Sequence, residues 1–226
     1  MTGAGWETAL KKDLHVYLQD ARDAFLWKLE GLSEYDIRRP MTATGTNLLG
    51  LVKHVSGAEA FYFGEVFARP VDAPALWIAG DAEPNADLWA TADETREETL
   101  ACYRRVWAHS DATIEELDLD ATGLLPGGEG RELTLHRVLV HMVAETQRHA
   151  GHADVVRELV DGATGQREKG RNMAPGDSAW WESHRARLER VAREASAAQG
   201  PRPTAEEENE PGLPGEDADG AAAGGR

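Results

Sequence analysis

Apolar residues recur at three- and four-residue steps in four long windows of the chain, a spacing that predicts four amphipathic helices. The first covers residues 7–31, where Leu10, Leu14, Tyr17, Leu18, Ala21, Phe25 and Leu29 mark one side between charged positions. Gly31 suits its C-terminal end, and Ser33 with Asp36 reads as a capping box for a short turn closed before Pro40. The second window covers residues 46–68, with Thr46 as its cap and Pro70 as its stop. The third covers 93–117, capped by Asp93, with Thr99, Tyr103, Val106, Trp107, Ile114 and Leu117 on its apolar side. The fourth covers 134–161 and ends at Gly162. A fifth helix starts at Asp177 or Ser178, with Trp180, Trp181, Leu188 and Val191 available to pack it on the others.

Between these windows the periodicity fails. Residues 71–92 hold two prolines and several aspartates and read as a long crossover loop, with room for a short helix at Leu76–Ala79. Trp77 and Trp89 are the residues to pin it. LPGGEG, residues 125–130, is an open turn that suits a small hairpin or a flap. From Gln199 onward the chain is rich in proline, glycine, alanine and glutamate, a composition that predicts disorder. The expectation is an all-α fold: an antiparallel four-helix bundle with a long crossover loop, an extra C-terminal helix and a disordered acidic tail. One domain would span 1–198 and the tail 199–226.

The candidate chemistry lies on the fourth helix. Advancing 100° per residue, Val138, His141, Met142, Glu145, His149, His152, Val156 and Leu159 fill one stripe, with Arg157 on the far side. Three histidines and a glutamate on a face meant for the interior need partners, because leaving them unpaired costs several kcal/mol. Glu145 and His149 stand four residues apart and can grip one cation. On the second helix His54 shares a face with Gly50 and Gly57, whose cost of about 1 kcal/mol each in a helix interior is offset by a close helix–helix approach or by room for a ligand. His54, Glu145 and His149 then make a three-ligand set of the kind that holds zinc or non-haem iron with a position left open. A hydrogen-bonded polar patch is the competing explanation, and a His141–Glu145–His149 ladder on one helix is the alternative ligand set.

Charge and cysteine content narrow the function. Acidic residues outnumber basic ones 40 to 24, a formal charge of −16, of which seven acids and two arginines lie in residues 200–226. That balance argues against a nucleic-acid partner and against an anionic membrane surface. The single cysteine, Cys102, excludes an intramolecular disulfide and reads as a small apolar helix residue. With no apolar signal segment and no stretch long enough to cross a bilayer, the expected location is cytoplasmic.

NLLGLVKHVSGAEAFYFGEVFA followed by LHRVLVHMVAETQRHAGHADVVRELVDGATG resembles the DinB/YfiT-like superfamily. The branch it is similar to includes the N-terminal metal-binding domain of mycothiol-dependent maleylpyruvate isomerases. The resemblance implies a helical bundle that holds a divalent metal, zinc first, through His54, Glu145 and His149. It implies a low-molecular-weight thiol as co-substrate and a thiol-dependent transferase or isomerase acting on small electrophiles. The partners expected are a small-molecule substrate and a second copy of the chain in a homodimer. A non-enzymatic metal- or small-molecule-binding stress protein is the alternative. Around the ligands, His141 and His152 are candidate outer partners or acid/base groups, and Arg148 a candidate carboxylate anchor.

Overall fold

The computed structural model describes residues 3–71, 82–167 and 173–199. Among them the chain is mostly helical with a small two-stranded sheet. In order come α1 (Gly3–Leu26), α2 (Glu34–Arg38), α3 (Leu48–Phe63), α4 (Arg96–Glu116), β1 (Thr122–Leu124), β2 (Glu132–Thr134), α5 (Leu135–Asp161) and α6 (Ser178–Gln199). The chain divides into two units, Met1–Met173 and Ala174–Arg226.

In the first unit α3 is the central element. Leu48, Leu49, Leu51, Val52, Val55, Gly57, Ala60 and Phe63 are all buried, so the helix is apolar on nearly every side. Such a helix must be surrounded, and α4, α5 and a 3-10 turn at Ala86–Leu88 pack against it while α1 packs on α5. One core cluster joins Phe25, Val52, Val55, Tyr103 and Val156; a second joins Leu18, Phe63, Ile114, Leu135 and Met142. Each buried side chain of this size stabilises the fold by about 1.5–3 kcal/mol.

The four windows are helical, with shifted ends. α1 gives way to a 3-10 turn at Trp27–Leu29, and α3 stops at Phe63 before another at Glu65–Phe67. Asn47, not Thr46, caps α3: its side chain accepts from the Gly50 N–H at 2.8 Å. Thr95, not Asp93, caps α4 through a complete capping box with Glu98. Both windows extend too far because the residues before each cap are polar enough to pass for a first turn. The caps at Ser33 and the left-handed Gly162 are as expected, and Thr134 caps α5 by accepting from the Arg137 N–H at 3.2 Å. The open turn is a hairpin, Gly123 paired with Leu133 in antiparallel register. Tyr17, expected on the apolar side of α1, is 62% exposed.

The core face of α5 is rotated from the expected stripe by roughly 70–80° at 100° per residue. Leu135, Val138, Leu139, Met142, Thr146, Ala150, Ala153, Val156 and Arg157 are buried, while His141, His152 and Leu159 are exposed. Arg157 turned the reading, since a buried arginine looks like a solvent residue on a helical wheel. Its guanidinium donates to the carbonyls of Lys28 at 2.9 Å and Glu30 at 2.8 Å and pairs with Asp161. It thereby satisfies carbonyls that the end of the first helical segment leaves open. Glu145 and His149 consequently lie on the border between core and solvent, where a ligand can reach them.

In the second unit α6 starts at Asp177, whose carboxylate accepts from the Trp180 N–H at 2.8 Å. Trp180 stacks on His184, ion pairs Glu189–Arg193 and Arg190–Glu194 run along the helix, and Leu188 and Val191 are exposed. The expected short helix at Leu76–Ala79 with Trp77 and the expected tail disorder fall outside the described residues.

Candidate metal centre

Two helices and one turn build the site. α3 presents His54 and α5 presents Glu145 and His149, one turn apart on the border of its buried face. One ligand-competent atom from each of the three lies within 4.8 Å of the others. His149 Nε2 is 3.0 Å and His54 Nε2 3.3 Å from the same oxygen, Glu145 Oε1. The two rings meet edge to face with centroids 4.6 Å apart. The side chains are 24%, 25% and 12% exposed for His54, Glu145 and His149, so the cluster is partly buried yet reachable from solvent.

The third element is a surprise of the crossover segment. Asp87, on the Ala86–Leu88 turn, brings Oδ2 to 2.6 Å from His54 Nδ1. The turn approaches because position 50 is glycine: a Cβ there would lie 1.9 Å from the Leu88 carbonyl oxygen. Asn47 Nδ2 donates to that carbonyl at 3.1 Å and Lys53 Nζ to the Trp89 carbonyl at 2.9 Å. What Gly50 admits is neither of the two uses foreseen, a second helix or a ligand, but the Leu88 backbone of the crossover turn.

The donor set fits a divalent cation on its own chemistry. A neutral imidazole carries one N–H. If His54 gives it to Asp87, Nε2 turns a lone pair toward Glu145 Oε1, and two lone pairs facing each other call for a cation between them. With both imidazoles neutral, Asp87 and Glu145 contribute one negative charge each, the −2 that a divalent ion balances. No Lys or Arg pairs with either carboxylate among the described residues. His149 Nδ1 is buried without a hydrogen-bond partner among the described residues.

Electrostatics favour the metal-competent protonation states. Burial, reinforced by neighbouring His54, holds the His149 imidazolium below its usual range, so the neutral ring persists. Burial alone would raise the Glu145 carboxyl, but hydrogen bonds and charge from His54 and His149 outweigh it and hold it below the usual carboxylate range.

The other sequence candidates lie beside this cluster. His141 is exposed and packs on Tyr62 with ring centroids 4.4 Å apart, outside the group of three. His152 is exposed, its ring 5.2 Å from that of His149 with no hydrogen bond between them. Arg148 is exposed. Cys102 is 3% exposed, and burial pushes its thiol above the usual range, as suits a packing residue. Asp87 was missed because nothing periodic marks residues 71–92; the one signal available was the helical glycine opposite it.

No helix among the described residues is long and apolar enough to cross a membrane. Comparison with curated proteins gives no match. Comparison with protein families gives a match over residues 13–162 to the model described as mycothiol-S-transferase, a DinB/YfiT-like family. That span begins inside α1 and ends at the Gly162 cap of α5, taking in every element of the metal centre, and the chain belongs to the mycothiol-S-transferase family.

Proposed function

We propose that this protein is a metal-dependent mycothiol transferase acting on small electrophiles, with His54, Glu145 and His149 as the metal ligands. The observation that carries the proposal is the convergence of two imidazole nitrogens on one carboxylate oxygen in a partly buried cluster. Membership of the family favours catalysis over simple sequestration. The same reading takes α1, α3, α4 and α5 as an antiparallel four-helix bundle, with 1–198 as the metal-binding domain and 199–226 as an acidic tail.

A bound divalent cation, zinc first, would supply the Lewis acidity that turns the thiol into a thiolate at neutral pH. The protein's own groups do the rest. His54 and His149 offer uncharged nitrogen donors, and Glu145 offers the anionic one. Packing of α5 on α1 and α3 holds Glu145 and His149 on consecutive turns, so their spacing is fixed before any ligand arrives.

The test is conjugation of mycothiol with monobromobimane, in which a sulfur–carbon bond forms, bromide leaves and the thiol proton goes to solvent. Turnover should track the zinc content of the purified protein, vanish on chelation and return with added zinc. Conjugation that is indifferent to chelation, or protein purified and reconstituted without stoichiometric metal, overturns the proposal.

A further inference from the structure

We infer that Asp87 is the positioning residue of this centre, delivered by a turn that exists to hold it against His54. The inference rests on the metal-ligand reading above and adds the part that fixes which nitrogen of His54 faces the site.

The turn is fastened to α3 through groups other than the Asp87 carboxylate. The Leu88 carbonyl accepts from Asn47, the Trp89 carbonyl accepts from Lys53, and Lys53 also pairs with Glu94 at 2.7 Å. Asn85 opens the turn in the left-handed region, φ 64°, a conformation asparagine tolerates better than most residues. Gly50 removes the side chain that would otherwise hold the turn away. None of these attachments needs Asp87, whose only polar partner among the described residues is His54. A carboxylate placed there by two hydrogen bonds from Asn47 and Lys53 and by a helical glycine has one evident task.

That task is tautomer selection. A carboxylate accepts and cannot donate, so Asp87 Oδ2 at 2.6 Å demands the proton on His54 Nδ1. Nε2, the nitrogen 3.3 Å from Glu145, then carries the lone pair a cation needs. The ring is also fixed in rotation, since each of its nitrogens faces a carboxylate oxygen, Nδ1 that of Asp87 and Nε2 that of Glu145. Carboxylate partners of ligand histidines typically contribute about 10- to 100-fold to metal affinity.

Two measurements test the inference on the full chain. The first is long-range nitrogen–proton NMR of the metal-free protein at neutral to alkaline pH, with His54 assigned through His54→Gln. Wild type should show His54 protonated at Nδ1, and Asp87→Ala should shift it toward the Nε2-protonated form. The second is zinc affinity by chelator competition. Asp87→Ala should bind about 10- to 100-fold more weakly, and Gly50→Ala, which displaces the turn with Asp87 intact, should reproduce the loss. Asp87→Asn keeps an acceptor oxygen and should recover the tautomer and part of the affinity. The melting temperature of the chelated protein should be the same for wild type and Asp87→Ala. An unchanged tautomer, or a lowered melting temperature with the tautomer retained, overturns the inference. If Asp87→Ala binds zinc as wild type does while His54→Ala does not, the positioning role fails and the ligand set survives. If wild type binds no zinc, the ligand set fails and the tautomer measurement alone decides the role of Asp87.

Discussion

Two of the polar groups that helix α3 carries, Glu59 and His54, lie on different faces, and their surroundings differ in one respect. Glu59 and Arg22 are fully buried and close on each other through a bidentate ion pair; Arg22 continues to Asp111 at 2.7 Å, and Asp111 to His15 at 2.8 Å nearer the surface. Burial pushes the Glu59 carboxyl above its usual range against the pull of Arg22, while His15 and Arg22 overcome burial to hold Asp111 below its own. Around His54 the tally is two carboxylates, two imidazoles and no permanent cation among the described residues. The first network holds a permanent cation of its own, Arg22. The second holds none among the described residues. Burial of polar groups is common to both, so burial does not separate them; the presence or absence of a permanent cation does.

The sharpest way to break this contrast is to remove a ligand. His54→Ala, Glu145→Ala and His149→Ala each leave two donors, too few to hold zinc tightly in a site that also keeps a position open. Each should lose its metal on elemental analysis while staying helical, because the apolar contacts of α3 and α5 are untouched. Glu145→His should retain metal, since imidazole is also a ligand of suitable reach. Full occupancy in His54→Ala would detach α3 from the centre and erase the difference between its two faces.

The closed network should respond in the opposite manner, through stability alone. Arg22→Met strands Glu59 in the core, and breaking a buried pair in this way costs about 3–5 kcal/mol. Arg22→Met with Glu59→Met should recover most of that loss, because two apolar side chains of similar volume replace two buried charges. Neither change should alter zinc affinity. Urea unfolding and chelator competition on the same two variants separate the networks; a metal-affinity loss in either would show that they are coupled through α3.

What the sequence made legible follows from the range of the forces involved. Helix windows and the helix ends at Ser33 and Gly162 are local, set by spacing and by the backbone next to them, and these are as read. Glu145 and His149 were legible as a pair through their four-residue spacing and His54 through the glycines on its face, although the α5 stripe borders the core rather than facing it. Three features were not legible: the burial of Arg157, the rotation of the α5 core face that follows from it, and Asp87. Each depends on a partner distant in sequence, whether carbonyls at the end of the first helical segment or a turn seated on Gly50. No periodicity encodes such a partner.

Proton competition gives a smaller, graded effect at the open site. Metal needs neutral imidazole and ionised carboxylate. The folded-state values of His149 and Glu145 both lie below their usual ranges, so both groups stay in the binding form down to lower pH than free side chains would. Zinc affinity should therefore hold as pH falls to the reference imidazole value of about 6.5 and decline only below it. The stability sign is the same: a histidine with a depressed folded-state value favours folding at high pH, and that contribution drains away as pH falls through that value. Zinc titrations from pH 8 to pH 5 check this; release beginning above the reference value would mean that His149 is more solvated than its burial implies.

The smallest expected effect falls on His152, and its smallness sharpens the contrast from within the open site. On spacing alone His152 and Asp87 would rank in reverse order, since His152 lies on the same helix three residues from His149 and Asp87 lies in a segment without pattern. The geometry inverts them. His152 is exposed and meets His149 only edge to face, with no hydrogen bond to fix either ring. Asp87 holds His54 at 2.6 Å from a turn fastened on α3. Surface substitutions away from special contacts stay within about 0.5 kcal/mol, or roughly twofold in affinity. His152→Ala should therefore change zinc affinity by no more than about that much. A loss in His152→Ala as large as in Asp87→Ala would mean that a ring at the open edge steadies His149 as firmly as a carboxylate steadies His54. The site would then be built by neighbours along α5 rather than by the turn that crosses α3.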